Sequence, residues 1–178
     1  MATHTLMTAE QFDALPGEDG RHWELLEGEL IEMASATAKH NRIQAQLNAT
    51  LDLWLAKDNR GVTLPTTEFA FGANRFQPDL AVLLQAKWTL VEQDRVPVLI
   101  IPDIAVEIVS PSESAINLDR KLRIYRAHGV TEVWIVYPEG SHMYVHAANG
   151  VRELLNTDVL ESSVLPGWSM PVAELFAR

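Results

Sequence analysis

Acidic residues interrupt three apolar stretches of the chain, where an ionised side chain is expensive to place. Glu68 begins EFAF, Asp79 begins DLAVLL, and Glu107 lies inside IAVEIVS. A carboxylate beside a buried sheet needs a cation or a hydrogen-bond donor to offset its lost hydration. Carboxylate oxygens are hard ligands that suit Mg²⁺ or Mn²⁺ and suit copper or structural zinc poorly. These acids therefore predict a divalent metal site, with Mg²⁺ as the favoured ion.

A hairpin would bring two of these acids together. If GANR is the bend, pairing is centred between Ala73 and Asn74, which places Glu68 opposite Asp79. Directly opposed side chains lie about 5 Å apart, and two like charges there repel unless a cation lies between them. Ala73 is poorly suited to the positive φ of a type I′ turn, so a register shift that separates the two acids stays open.

A lysine on the helix after the Glu107 strand can supply the positive charge of such a site. Lys121 lies between Leu118 and Tyr125 at the border of the apolar stripe, within reach of the end of the sheet. A metal that lowers the pKa of bound water and an ammonium that offsets charge on a phosphate together suit phosphodiester hydrolysis. Other sides of this helix carry basic residues that either contact a DNA backbone or form an ordinary solvated face: Arg120, Arg123 and Arg126.

Several of these residues have simpler interpretations. His40, before the long helix, can approach the site, but a histidine at a helix start is more often a polar end residue. Pro102-Asp103 repeats Pro78-Asp79, and either pair can be a turn, with Asp79 preferred. Glu68 is equally well an exposed acid on an edge strand.

Composition and short motifs exclude other classes of chemistry. The chain has no cysteine to pair with its six histidines, and no GxSxG occurs. Disulfides, structural zinc and serine-hydrolase chemistry are therefore unsupported. A net charge of −10 over 178 residues excludes a globally basic nucleic-acid binder, so any DNA contact must be local. Without a signal peptide or a long apolar run, we expect a cytoplasmic protein with no membrane partner.

The elements that position these residues follow from hydrophobic periodicity. Thr8 and Gln11 form a capping box for a helix ended by Pro16 and Gly17, and WELLEGELIEM predicts a hairpin around Glu27-Gly28 whose glutamates face water. The later elements are a helix over 40–56, strands VTLPTTEFAF, DLAVLL and IAVEIVS, a helix capped by Asn117 and ended by Gly129, strand EVWIVYP, short strands over 142–168 and a terminal helical turn PVAELFA. Strand, helix, strand predicts a parallel crossover.

Pro78-Asp79 and Glu107-Ile108-Val109 resemble the acidic half of the PD-(D/E)XK nuclease motif. Nearly the whole chain resembles the bacterial Uma2-type family of restriction-endonuclease-like proteins, through these segments in order: TAEQFDALP, WELLEGELIEM, PDLAVL, VEIVSPS, KLRIYRAHGVTEVWIVYP and LPGWSMPVAELF. The superfamily lysine would stand at Val109, and its relocation to the following helix makes Lys121 the substitute.

The resemblance implies an α/β fold with a restriction-endonuclease-like core, α-β-β-β-α-β, whose mixed sheet is flanked by helices. We expect one domain over 1–178: an N-terminal helix and β-hairpin (1–35), a catalytic core (40–137), and C-terminal strands with a short helix (138–178). Asp79 and Glu107 would bind the metal together with Glu68, and Lys121 would be the catalytic cation.

The resulting hypothesis is a Mg²⁺- or Mn²⁺-dependent endonuclease that hydrolyses phosphodiester bonds of DNA, as a homodimer by family habit. The alternative is a catalytically inactive binding or assembly protein on the same fold, which Val109 and the acidic composition permit.

Overall fold

The computed structural model describes residues 6–16 and 23–177. Its α-helices are α1 (Ala9–Asp13), α2 (Ala38–Leu55), α3 (Gln85–Trp88), α4 (Ala115–Ala127) and α5 (Val172–Phe176). Its strands are β1 (Trp23–Leu26), β2 (Glu29–Glu32), β3 (Gly61–Pro65), β4 (Phe69–Phe71), β5 (Asn74–Phe76), β6 (Leu80–Leu84), β7 (Ile104–Ile108), β8 (Glu132–Tyr137), β9 (His142–Ala147), β10 (Gly150–Leu154), β11 (Val159–Glu161) and β12 (Ser169–Pro171).

A mixed sheet in the order β10-β9-β8-β7-β6-β3 forms the centre of the molecule. β7 and β8 pair in parallel through the α4 connection, which confirms the predicted crossover, and the other neighbours pair antiparallel. The short strands predicted over 142–168 form as β9, β10 and β11, and the terminal helical turn forms as α5, whereas β12 occupies residues expected to open that turn.

Helices cover both faces of this sheet because side chains alternate along its strands. α2 contributes fully buried residues at helical spacing to one core: Ile43, Leu47, Leu51 and Leu55. The even-numbered side chains of β6 and β7 join that core, whereas their odd-numbered apolar residues share the other core with α4. Each leucine removed from water in this way contributes about 1.5–3 kcal/mol. An odd-numbered acid on β7 therefore faces α4.

The segment VTLPTTEFAF is two strands rather than the single strand predicted. Thr66 takes a φ of +46°, which ends β3, and β4 belongs to a second sheet in the order β2-β1-β5-β4. The predicted hairpin is present as β1 and β2, with positive φ at Glu27 and Gly28 as a type I′ turn requires. In this second sheet β1 pairs with β5, so the hairpin is joined to the β4–β5 pair.

The predicted register that placed Glu68 opposite Asp79 is wrong. Phe71 pairs with Asn74, so the bend is centred one residue earlier, and Gly72 takes its positive φ of +60°. Glycine adopts that conformation without the Cβ penalty that Ala73 would bear. Asn74 instead uses its side chain to accept from the Glu27 backbone amide at 2.7 Å.

Two of three predicted helix-end features are present in the structure. The capping box of Thr8 and Gln11 forms, and Gly129 follows α4 with a φ of +88°. Ser114, not Asn117, caps α4. The predicted contribution of Gly17 to ending α1 lies outside the described residues.

Candidate active site

Asp79 and Glu107 come from neighbouring strands and meet at one end of the central sheet. Leu80 pairs with Val106 in the antiparallel β6–β7 ladder. One step further along that ladder places Asp79, the residue before β6, opposite Glu107. The two acids of the motif are therefore brought together by the backbone.

Asp79 is held from several directions. Its Oδ2 accepts from the Ile108 backbone amide at 2.6 Å, and its Oδ1 lies 3.1 Å from His40 Nε2. The Gln44 side-chain amide, one turn further along α2, donates to the Asp79 carbonyl. The hydrogen bond to Asp79 raises the pKa of His40 and outweighs the opposing effect of burial. The structure thus brings His40 to the acids.

Lys121 lies inside the protein between two carboxylates. Its Nζ is 2.9 Å from Glu107 Oε1 and 3.0 Å from Glu24 Oε1, and only 3 % of its side chain is exposed. Burial lowers the pKa of Lys121, but the carboxylates of Glu107 and Glu24 raise it by more, so the ammonium stays charged. The sequence placed Lys121 at the border of the apolar stripe, and the structure buries it fully beside Glu107.

Glu24 is the site residue that the sequence reasoning missed. It lies on β1, is 2 % exposed, and accepts from both Lys121 and the Gln77 backbone amide, the latter at 2.8 Å. The expectation that the hairpin glutamates face water is wrong for Glu24, although it is right for Glu29 and Glu32. Glu24 precedes Leu25 and Leu26, and an acid beside apolar strand residues was the signal that identified Glu107.

Glu107 is the most perturbed carboxyl group of the site. The Tyr125 hydroxyl donates to its Oε1 at 2.5 Å. The pKa of Glu107 is raised to about 8: burial is the largest cause, Lys121 opposes it, and Glu24 and Asp79 add to it. Burial, together with the charges of Glu107 and Glu24, also holds the pKa of Tyr125 well above its usual value, so this phenol acts as a donor.

Two further glutamates lie near the site but differ in position. Glu113, before α4, interacts electrostatically with Lys121 and Asp79, and burial raises its pKa. Glu68 instead bonds to the Gln77 side chain, and burial followed by repulsion from Asp13 raises its pKa. Glu68 therefore lies near Gln77 and Asp13 and not across a hairpin from Asp79.

The three arginines of α4 differ in how their charge is used. Arg120 bonds to Glu27 at 2.8 Å and to Glu29 at 2.9 Å, which ties α4 to the β1–β2 hairpin. Arg123 pairs with Asp119, four residues before it. Arg126 is exposed.

The second Pro-Asp pair has a structural role at the opposite end of the β6–β7 ladder. Asp103 is buried, lies 2.9 Å from Lys87 Nζ, and accepts from the Leu84 backbone amide at 2.8 Å. Its contacts stabilise the end of β6. This placement separates Asp103 from the carboxylate cluster of Asp79.

The donor set fits a divalent ion of the magnesium type. Within residues 6–16 and 23–177, no three His, Cys, Asp or Glu side chains form a metal cage of their own. Mg²⁺ is commonly held by one or two carboxylates together with substrate phosphates and water, which the neighbouring Asp79 and Glu107 can provide. Acids also outnumber the single ammonium here, since Glu24, Asp79 and Glu113 all raise the pKa of Glu107. A divalent cation would offset that excess.

Comparison with known proteins supports this fold. A model of the Uma2 family, described as a putative restriction endonuclease, matches residues 9–173. The structure resembles the crystal structure of a putative nuclease belonging to DUF820 from Anabaena variabilis, with a TM-score of 0.83 and 18 % identity over 96 % of this chain and 97 % of that chain. The predicted restriction-endonuclease-like α/β fold is confirmed. No curated protein matches the chain. Among the described helices, none combines the length and the apolar character needed to cross a membrane.

Proposed function

Because the chain belongs to the Uma2 family, described as a putative restriction endonuclease, we propose that it is a Mg²⁺-dependent endonuclease that hydrolyses phosphodiester bonds of DNA. One observation carries the proposal: Asp79 and Glu107 meet across the β6–β7 ladder, with Lys121 at 2.9 Å from Glu107. Two carboxylates can hold a divalent ion and an ammonium can offset charge on a phosphate, which suits metal-assisted phosphodiester hydrolysis.

Asp79 and Glu107 are the residues that would hold Mg²⁺ or Mn²⁺. When bound, the ion would supply a water of lowered pKa and offset charge on the scissile phosphate. The Ile108 amide and His40 fix the orientation of Asp79 before any ion binds, as outer partners of metal ligands commonly do. Glu68 is kept as a further candidate ligand, although its approach differs from the one predicted.

Lys121 supplies the permanent positive charge of the site. Its raised pKa keeps the ammonium protonated, and the ion pair with Glu24 holds this ammonium beside the acids of the site. In the proposed reaction this charge offsets the negative charge that develops on the phosphate as the water oxygen bonds to phosphorus and the bond to the leaving oxygen breaks. Val109 stands where the superfamily has its lysine and carries no charge, so Lys121 is the residue proposed for this role.

DNA is the proposed partner, and a homodimer the proposed assembly. Arg126 and, where DNA replaces their acidic partners, Arg120 and Arg123 are the candidates for phosphate contacts. The dimer would bring two copies of α4 to one duplex, and gel filtration at about twice the monomer mass checks it. A cytoplasmic location remains a prediction from the sequence.

Metal-dependent cleavage tests the proposal. Purified wild type should cut plasmid and linear duplex DNA with Mg²⁺ or Mn²⁺ and should be inactive with EDTA. Asp79→Asn and Lys121→Met should each lower the rate by about 100-fold or more, as removing a group that stabilises the transition state does. Asp103→Asn, in the other Pro-Asp pair, is the matched control and should keep activity. Cleavage that persists in Asp79→Asn would assign the activity to another site or a contaminant.

The alternative function is that of an inactive binding or assembly protein on the nuclease fold. Two observations favour it: Val109 stands where the motif lysine is expected, and Lys121 is already paired with both Glu24 and Glu107. The two functions differ in metal binding. Calorimetric titration of Mn²⁺ into wild type and Asp79→Ala separates them. If neither protein shows heat of binding, the inactive scaffold is favoured.

A further inference from the structure

Tyr125 lies at the centre of the site without contacting solvent. It follows Lys121 by one turn of α4, so both side chains leave the helix on the same face. Its ring is held edge-on against Phe71 at 4.9 Å and against Phe76 at 5.5 Å. With the ring packed in this way, the hydroxyl donates to Glu107.

Two donors converge on the same oxygen of Glu107. The Tyr125 hydroxyl lies 2.5 Å from Oε1 and Lys121 Nζ lies 2.9 Å from it. The terminal torsion of a glutamate is otherwise broad and nearly two-fold, so a carboxylate without such partners samples many orientations. Short bonds from two fixed donors select one orientation. Oε2 is then the oxygen that Glu107 can present to a ligand.

Packing alone does not require a hydroxyl at this position. The neighbours of the ring are aromatic, and a phenylalanine would fill the same space. A buried hydroxyl is costly unless it is bonded, and here its partner is the acid of the motif. The hydroxyl therefore acts on Glu107 and not on the core.

We propose that Tyr125 is a positioning residue that, with Lys121, occupies Oε1 of Glu107 and thereby presents Oε2 to the divalent ion. This inference rests on the proposed metal-dependent function, because it assigns Tyr125 a task only if Glu107 binds a metal. Tyr125 itself touches neither the metal nor the substrate in this proposal. Its effect reaches the reaction through the orientation of one carboxylate.

Tyr125→Phe removes the hydroxyl and keeps the ring. Tyr144→Phe is the matched control, because Tyr144 also donates to a glutamate, Glu153 at 2.9 Å, but does so on the exposed face of β9 and β10. Calorimetry with Mn²⁺ should show affinity weakened roughly 10- to 100-fold in Tyr125→Phe, the usual cost of removing an outer partner of a ligand. Tyr144→Phe should match wild type. With DNA, Tyr125→Phe should lower kcat and leave KM unchanged.

A crystal structure of Tyr125→Phe gives a readout that needs no metal. We expect the Glu107 carboxylate to turn, so that Lys121 no longer approaches the same oxygen at the wild-type distance. An unchanged Glu107, or wild-type Mn²⁺ affinity in Tyr125→Phe while Glu107→Gln loses binding, would overturn the positioning role. Wild type that binds no Mn²⁺ at all would overturn the proposed nuclease function, which is a different result.

Discussion

Lys121 and its two carboxylates are expensive to keep inside the protein. Burying charges costs several kcal/mol per ion, and replacement of such a cluster by apolar residues is often neutral or stabilising. Removing only one partner leaves an unpaired buried charge, which costs about 3–5 kcal/mol. The cluster of Glu24, Glu107 and Lys121 is therefore a poor device for stability. Its presence is better explained by the chemistry proposed for the site.

The pKa of Glu107 predicts a pH dependence of stability in metal-free protein. Burial is the largest of the effects that together raise this pKa from 4.5 to about 8. Between these values the folded state holds a proton that the unfolded state has released, so stability is present at low pH and is lost as pH rises through the folded pKa. The slope from this group is at most about 1.4 kcal/mol per pH unit.

Urea unfolding with EDTA, from about pH 5 to about pH 9, measures this dependence. Glu107→Gln cannot ionise, so its unfolding free energy should fall less than that of wild type across this range. The comparison removes the contribution of other groups, including His40, whose pKa is also raised. Parallel curves for the two proteins would contradict the assigned protonation of Glu107.

At the scale of elements, the site depends on the ends of two neighbouring strands and on one face of α4. β6 and β7 supply Asp79 and Glu107 through their pairing, and α4 supplies Lys121 and Tyr125 one turn apart. β1, a strand of the second sheet, contributes Glu24, which accepts from Lys121. The buried face of α4 therefore carries the two helical residues of the site.

The cap of α4 gives a prediction about this element. The Ser114 side chain accepts from the Asn117 backbone amide, whereas Asn117 itself lies inside the helix. We expect Ser114→Ala to lower the unfolding free energy by about 1 kcal/mol, the usual cost of losing a cap. Asn117→Ala, the control, should change it by less than about 0.5 kcal/mol, because the half-buried Asn117 side chain accepts one long bond, from Arg120 at 3.4 Å. Thermal or urea unfolding measures both, and a larger effect of Asn117→Ala would restore the cap predicted from the sequence.

At the scale of the whole molecule, electrostatics limit how DNA can approach. The chain carries 24 acids against 14 basic residues. Of the α4 arginines, Arg120 and Arg123 have acidic partners within hydrogen-bond distance, while Arg126 is exposed. Binding must therefore use a small number of phosphate contacts and divalent cations, and should weaken steeply with salt.

The salt dependence of KM distinguishes the contributions of Arg126 and Arg120 to DNA binding. Each lost phosphate contact lowers the slope of log KM against log salt by about one unit. Arg126→Ala should lower this slope, and Arg120→Ala should lower it less, because Arg120 is engaged with Glu27 and Glu29. Cleavage kinetics at several salt concentrations give the slopes. Equal slopes in wild type and both variants would place the DNA contacts elsewhere.

The sequence by itself determined the features that depend on nearby residues. Helix periodicity identified α2 and α4, positive-φ residues marked the turn at Gly28 and the end of α4 at Gly129, and acids within apolar runs identified Asp79 and Glu107. These signals act over a few residues, where backbone conformation and side-chain spacing are set by local sterics and hydrogen bonding.

Only the tertiary structure decided which distant residues meet. The β4–β5 register separated Glu68 from Asp79, while the β6–β7 ladder joined Asp79 to Glu107. Glu24 reaches Lys121 across 97 residues of chain because β1 pairs with β5 in the second sheet. Such contacts follow from how whole sheets and helices bury their apolar faces together, and no local pattern specifies that arrangement.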